Sequence, residues 1–182
     1  MGALATAAAL SACGARGSQS TTGDANNPGL YVRGGQLTYQ VQISRELNQY
    51  ATEDRAYLAG VPAGTSPPGA NQLWFAIFMW AKNFSKTAHE TVSASDFDIV
   101  DTQGNTYYPI ALNPGLNQLA WTQTRLGPQA TEPEIDSPAS NDAAQGSELL
   151  FKLDYSIYAN RPLTLEIHVP GQAEPSTIAL DL

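Results

Sequence analysis

A chain of 182 residues with 14% charged side chains, 15 glycines and 12 prolines suits one domain plus a tail, built from short strands and many turns rather than long helices. Its net charge of −8 excludes nucleic acid and a basic patch on anionic lipid, since too few Lys and Arg are present to neutralise phosphates. The single cysteine excludes an internal disulfide.

At the amino terminus, residues 3–10 form an Ala/Leu-rich apolar run. It is far shorter than the roughly 20 residues a bilayer span requires, but has the length of a signal-peptide hydrophobic core. Leu10-Ser11-Ala12-Cys13 follows, and Gly14 comes next. This pattern of leucine, two small residues and cysteine resembles a bacterial lipobox, which implies a diacylglyceryl group on the Cys13 sulfur and removal of residues 1–12 as a signal peptide. The two acyl chains would anchor stably, because each buried methylene contributes about 0.8 kcal/mol and one chain alone is marginal. No basic residue lies between Met1 and Cys13, so a start further upstream is expected. Residues 13–34, rich in Gly, Ser, Thr and Asn, have no apolar periodicity and are expected to form a flexible tether.

Residues 35–182 carry the signals of strands. Leu37, Tyr39, Val41 and Ile43 alternate with polar residues and are expected on one buried face. Thr52 is placed to cap a short helix over Glu53 to Ala59, ended by Gly60, and a Pro/Gly loop follows to Ala70. Leu73 to Phe84 is the strongest strand. Asp96 to Val100 and Thr106 to Ile110 flank a polar loop of hairpin length. Leu112 to Ser147 is a long connection, with one short strand expected around Leu119 to Thr124. Glu148 to Asp154, Leu163 to Val169 and Thr177 to Leu182 alternate with period two and close the chain, with Pro162 at the start of its strand. Strands with one apolar face each predict an all-β, immunoglobulin-like antiparallel β-sandwich with one short helix and long loops.

Trp80 to Ser85, Asp96 to Tyr107, Gly146 to Leu153 and Asn160 to Ile167 together resemble the immunoglobulin-like, telokin-like domain of unknown function found on Gram-positive and actinobacterial lipoproteins. The resemblance spans Leu37 to Leu182 and implies an extracytoplasmic β-sandwich. It supplies no catalytic residues. The Glu46 to Ala70 insertion and the long connection exceed that family's compact core.

The strand from Leu73 to Trp80 is apolar on both faces, with Leu73, Phe75, Ile77 and Met79 on one and Trp74, Ala76, Phe78 and Trp80 on the other. Either the insertion or the long connection covers the second face, or Trp74, Phe78 and Trp80 form an interaction surface. Glu132, Glu134, Asp136 and Asp142 lack the regular offsets of a calcium loop. His89 and His168 lie on different elements without further zinc ligands at suitable spacing, so no metal and no cofactor is expected. Asp96, Asp98 and Asp101 fall at a hairpin, where Asp favours turns. No hydrolase or phosphate-binding motif occurs.

The resulting expectation is a non-catalytic lipoprotein on the extracytoplasmic face of the cell membrane. Its partners would be the membrane, through the lipid, and an envelope protein or other envelope component. The alternative is a solute- or ligand-binding lipoprotein that uses the aromatic surface and the long connection as a pocket.

Overall fold

The computed structural model describes residues 22–24 and 31–180; Cys13 and the signal-peptide residues lie outside them. Thirteen strands are present among the described residues: β1 (Thr22–Asp24), β2 (Val32–Gly34), β3 (Leu37–Leu47), β4 (Gln72–Lys82), β5 (His89–Glu90), β6 (Phe97–Val100), β7 (Thr106–Tyr107), β8 (Pro109–Ile110), β9 (Arg125–Leu126), β10 (Thr131–Glu132), β11 (Ser147–Asp154), β12 (Leu163–Ile167) and β13 (Ser176–Leu180). A six-stranded sheet runs β2-β3-β4-β11-β8, with β10 paired to the end of β4. A five-stranded sheet runs β1-β13-β12-β6-β7. Every pairing is antiparallel except β1 with β13, and β5 and β9 form a separate two-stranded ladder.

The protein is an all-β sandwich, as the period-two alternation predicts. Its main core joins the inner faces of β3, β4 and β11, represented by Tyr39, Phe75 and Phe151, to those of β6, β12 and β13, represented by Phe97, Leu165 and Ile178.

Several expectations are corrected. Residues 13–34 are not all tether, because Thr22–Asp24 pairs with β13 and Val32–Gly34 with β3. Ile43 is not inward: register shifts between Val41, opposite Met79, and Ile43, opposite Phe78. The extra residue Gln42 moves everything after it to the other face, so Ile43 is 41% exposed while Leu47 lands beside Trp74. Thr52 to Gly60 is a run of turns and not a helix. Its amide bonds span three residues, as in Asp54 to Ala51 and Ala59 to Ala56. Asp54 is turned inward there, accepting the Asn48 N–H at 2.7 Å and pairing with Arg45. Among the described residues the one α-helix is α1 (Pro138–Asn141), capped by the Ser137 hydroxyl. Thr106 to Ile110 splits at Tyr108: β7 pairs with β6 in one sheet and β8 with β11 in the other, Pro109 offering no N–H to continue the first ladder.

The long connection is ordered against the sandwich. The strand expected at Leu119 to Thr124 is a single parallel bridge, Ala120 to Glu148, held by Trp121 N–H to Glu148 O at 2.8 Å and Glu148 N–H to Leu119 O at 2.6 Å. That bridge drives Trp121 into the main core. Its indole N–H donates to Val92 O at 3.0 Å, and its ring meets Phe97 edge-on at 5.2 Å. The Tyr39 hydroxyl accepts the Val92 N–H at 3.2 Å beside it, and burial raises the Tyr39 pKa to about 12. Trp121→Ala empties this corner and leaves Val92 O without its donor. It is expected to cost about 3–5 kcal/mol in urea unfolding, unusually much for a residue in a connection.

Candidate functional site

The second face of β4 is where sequence placed the interaction surface. Trp74, Ala76 and Phe78 form a second apolar cluster with Leu47 and Leu150, closed over by the chain itself. Tyr57, Leu58 and Val61 come from the Glu46 to Ala70 insertion, and Leu119, Ala139 and Ala144 from the long connection and its helix. The Tyr57 ring packs on Phe78 with centroids 5.0 Å apart, and the Arg45 guanidinium lies over the Tyr57 ring at 5.2 Å.

Polar bonds lock the two covers together. The Tyr57 hydroxyl donates to Asp142 at 2.7 Å, Asn117 Nδ2 donates to Tyr57 O at 3.2 Å, and Asn113 N–H donates to Gly60 O at 2.8 Å. Gly60 has φ +74°, and a Cβ there would stand 2.7 Å from Asn113 O. Trp74 and Phe78 are therefore 5% and 0% exposed, and only Trp80 is partly open, its indole N–H donating to Gln145 O. The expected surface of Trp74, Phe78 and Trp80 is corrected on this ground, since Trp74 and Phe78 are the floor of a covered cluster and Trp80 alone is left partly open at its edge of the strand. Trp74→Ser is expected to lower the urea midpoint strongly, by about 3–5 kcal/mol in stability, rather than to leave a folded domain with an altered surface.

Glu148 lies under the same cover, opposite Phe78 in the β11–β4 ladder. Its Oε2 accepts from Asn117 at 3.0 Å, while its Oε1 is buried without a hydrogen-bond partner. Burial raises its pKa from 4.5 to about 8, against the opposing Asn117 bond. An acid whose folded pKa lies above its unfolded value binds more protons when folded, so the stability Glu148 contributes is fully present below about pH 4.5 and is lost as pH rises through about 8. Glu148→Gln is expected to flatten that decline, read as urea midpoints at about pH 5 and pH 9.

The acidic run does not converge. Glu132 is buried, accepts the Ser147 hydroxyl at 2.6 Å and has its pKa raised by burial. Asp142 serves Tyr57 and Ala144, and Glu134 and Asp136 are exposed. Beneath the connection, a cleft of about 190 Å³ is lined by Asn117, Glu132 and Ser147 among others. A larger one of about 600 Å³, lined by Thr124, Leu126, Thr131, Glu132 and Ile135 among others, is formed by the same connection and lies within the roughly 300–1,000 Å³ of ligand pockets, but neither cleft is lined by Trp74 or Phe78.

The three hairpin aspartates have separate roles. Asp96 accepts the Ser93 N–H at 2.9 Å at the start of a 3-10 turn. Asp101 is buried, which raises its pKa. Bonds from Asn105, Asn160 and Gln103 outweigh that and bring it down to about 2. Asp98 instead points to the outer face of the five-stranded sheet, directly opposite Glu166. His168 stands one residue past β12, its N–H bonded to Asp96 O at 2.8 Å. Its Nε2 lies 3.0 Å from Asp98 Oδ2 and 3.6 Å from Glu166 Oε2. Asp98 Oδ1 is buried without a partner. His89 lies elsewhere, against the Thr87 hydroxyl.

Sequence reasoning missed this trio because its members are joined by strand register. The available signal was Glu166 and His168 two positions apart on one strand face, with Asp98 between the inward Phe97 and Ile99.

No family model matches the chain, and no curated protein matches it in sequence. Solved structures resemble it in fold. The yjhA protein from Bacillus subtilis superposes with a TM-score of 0.54 at 10% identity, covering 84% of this chain and 97% of that one. The secreted protein MPT63 from Mycobacterium tuberculosis gives 0.54 at 10% identity, covering 90% and 98%. These place the chain among β-sandwich proteins, and at that identity the likeness is one of fold alone.

Proposed function

We propose that this protein is a non-catalytic, lipid-anchored component of a bacterial cell envelope, in which an immunoglobulin-like sandwich held outside the membrane makes contacts with protein or other envelope components. The observation that carries the reading is Cys13, the single cysteine, at the end of a Leu-Ser-Ala-Cys sequence that follows an apolar run. A polar stretch of Gly, Ser and Thr then leads to a domain whose sheets bury their own apolar faces. The likeness of fold to a protein described as secreted is in keeping with an exported domain. The ligand-binding alternative is disfavoured because Trp74 and Phe78, 5% and 0% exposed, are packed beneath the insertion and the connection, so the aromatic surface it requires is not presented.

The test is to express the gene with its upstream region in a bacterial host supplied with labelled palmitate. The native chain is expected to carry label and to sediment with membranes, whereas Cys13→Ser is expected to lose both. Equal distribution of the two forms, with no label on either, would overturn the anchor.

A further inference from the structure

We infer that Asp98, Glu166 and His168 form a binding site for a divalent transition-metal ion of the zinc class on the outer face of the five-stranded sheet. Such a site goes beyond the anchoring role proposed above and is independent of it.

Register comes first. β6 and β12 set Asp98 and Glu166 as direct partners, and two carboxylates facing each other across a ladder repel unless a cation lies between them. His168 reaches the same face from two positions further along. Spacing comes second. Four-coordinate zinc with bonds of about 2.0–2.1 Å holds its ligand atoms about 3.3 Å apart. The His168 distances of 3.0 and 3.6 Å bracket that value, and all three ligand atoms lie within 4.8 Å of one another.

The third observation is the orphan oxygen. Asp98 is only 8% exposed and turns its Oδ2 to His168, while its Oδ1 is buried with no hydrogen-bond donor in reach. A buried carboxylate with one oxygen unsatisfied calls for a bound water or ion. An imidazole nitrogen with two carboxylates selects a zinc-like ion over calcium, whose ligands are all oxygen. Glu166 and His168 are partly exposed, which leaves a path for the ion and a coordination position for water. A bound ion would also tie β6 to β12 through side chains, in addition to their backbone ladder.

The experiment uses the full unlipidated chain carrying Cys13→Ser, so that no thiol competes, stripped with chelator and titrated calorimetrically with zinc chloride. Binding of one ion per chain, with Kd below about 10 µM, is expected, together with a rise in melting temperature. His168→Ala and Glu166→Gln sit at partly exposed positions and are expected to remain folded by circular dichroism while weakening zinc at least about tenfold. His89→Ala is expected to bind as the parent does. Absence of binding at about 1 mM zinc overturns the assignment and leaves His168 as an ion-pair partner of the two carboxylates. Equal affinity in the His168→Ala and parent proteins overturns it as well, and so does displacement of zinc by equimolar calcium.

Discussion

Everything in this fold is arranged around a central strand with no wet side. β4 runs between β3 and β11 and buries Phe75, Ile77 and Met79 inward, with Trp74, Ala76 and Phe78 outward. A sandwich strand ordinarily gives one face to solvent. Here the outward face would expose two large aromatic rings, at a cost of about 1.5–3 kcal/mol for each large side chain left uncovered. The Glu46 to Ala70 insertion and the long connection satisfy that constraint as a third layer, the first joining β3 to β4 and the second joining β8 to β11.

Covering an apolar face with irregular chain brings polar groups inside, and most of them are matched. Asn117 serves Tyr57 O and Glu148, Asp142 serves Tyr57 and Ala144, and Asp54 serves Arg45 and Asn48. Glu148 is the member left incomplete, and its raised pKa follows directly from that burial. Close approach is needed as well: a Cβ on Gly146 would stand 2.7 Å from Met79 N, so only glycine lets the connection turn into β11 there.

The long strands were legible because alternation is a local property, and β4, β11, β12 and β13 lie where period two puts them. The faces of β4 were also legible, though not what covers the outer one. What escaped depends on pairing. Gln42 looks like any polar residue in an alternating run until its partner strand shows that it has no opposite number. Trp121 sits among turn-forming residues, and nothing local says that a bridge to Glu148 drives it into the core. Thr52 to Gly60 has a proper helix signature, but Asp54 finds better partners in Arg45 and the Asn48 amide than in a helical first turn. The Asp98, Glu166 and His168 trio was invisible for the same reason, since about seventy residues of sequence separate partners that register makes adjacent.

The pairing of Thr22–Asp24 with β13 shortens the leash. With the lipid proposed on Cys13, the distance from membrane to domain is bounded by the positions up to Thr22 and not by those up to Gly34. Nine positions separate Cys13 from Thr22, which fully stretched reach about 30 Å, less than the thickness of the bilayer with its headgroups. A domain so held patrols the layer immediately above the lipid and not the depth of a wall.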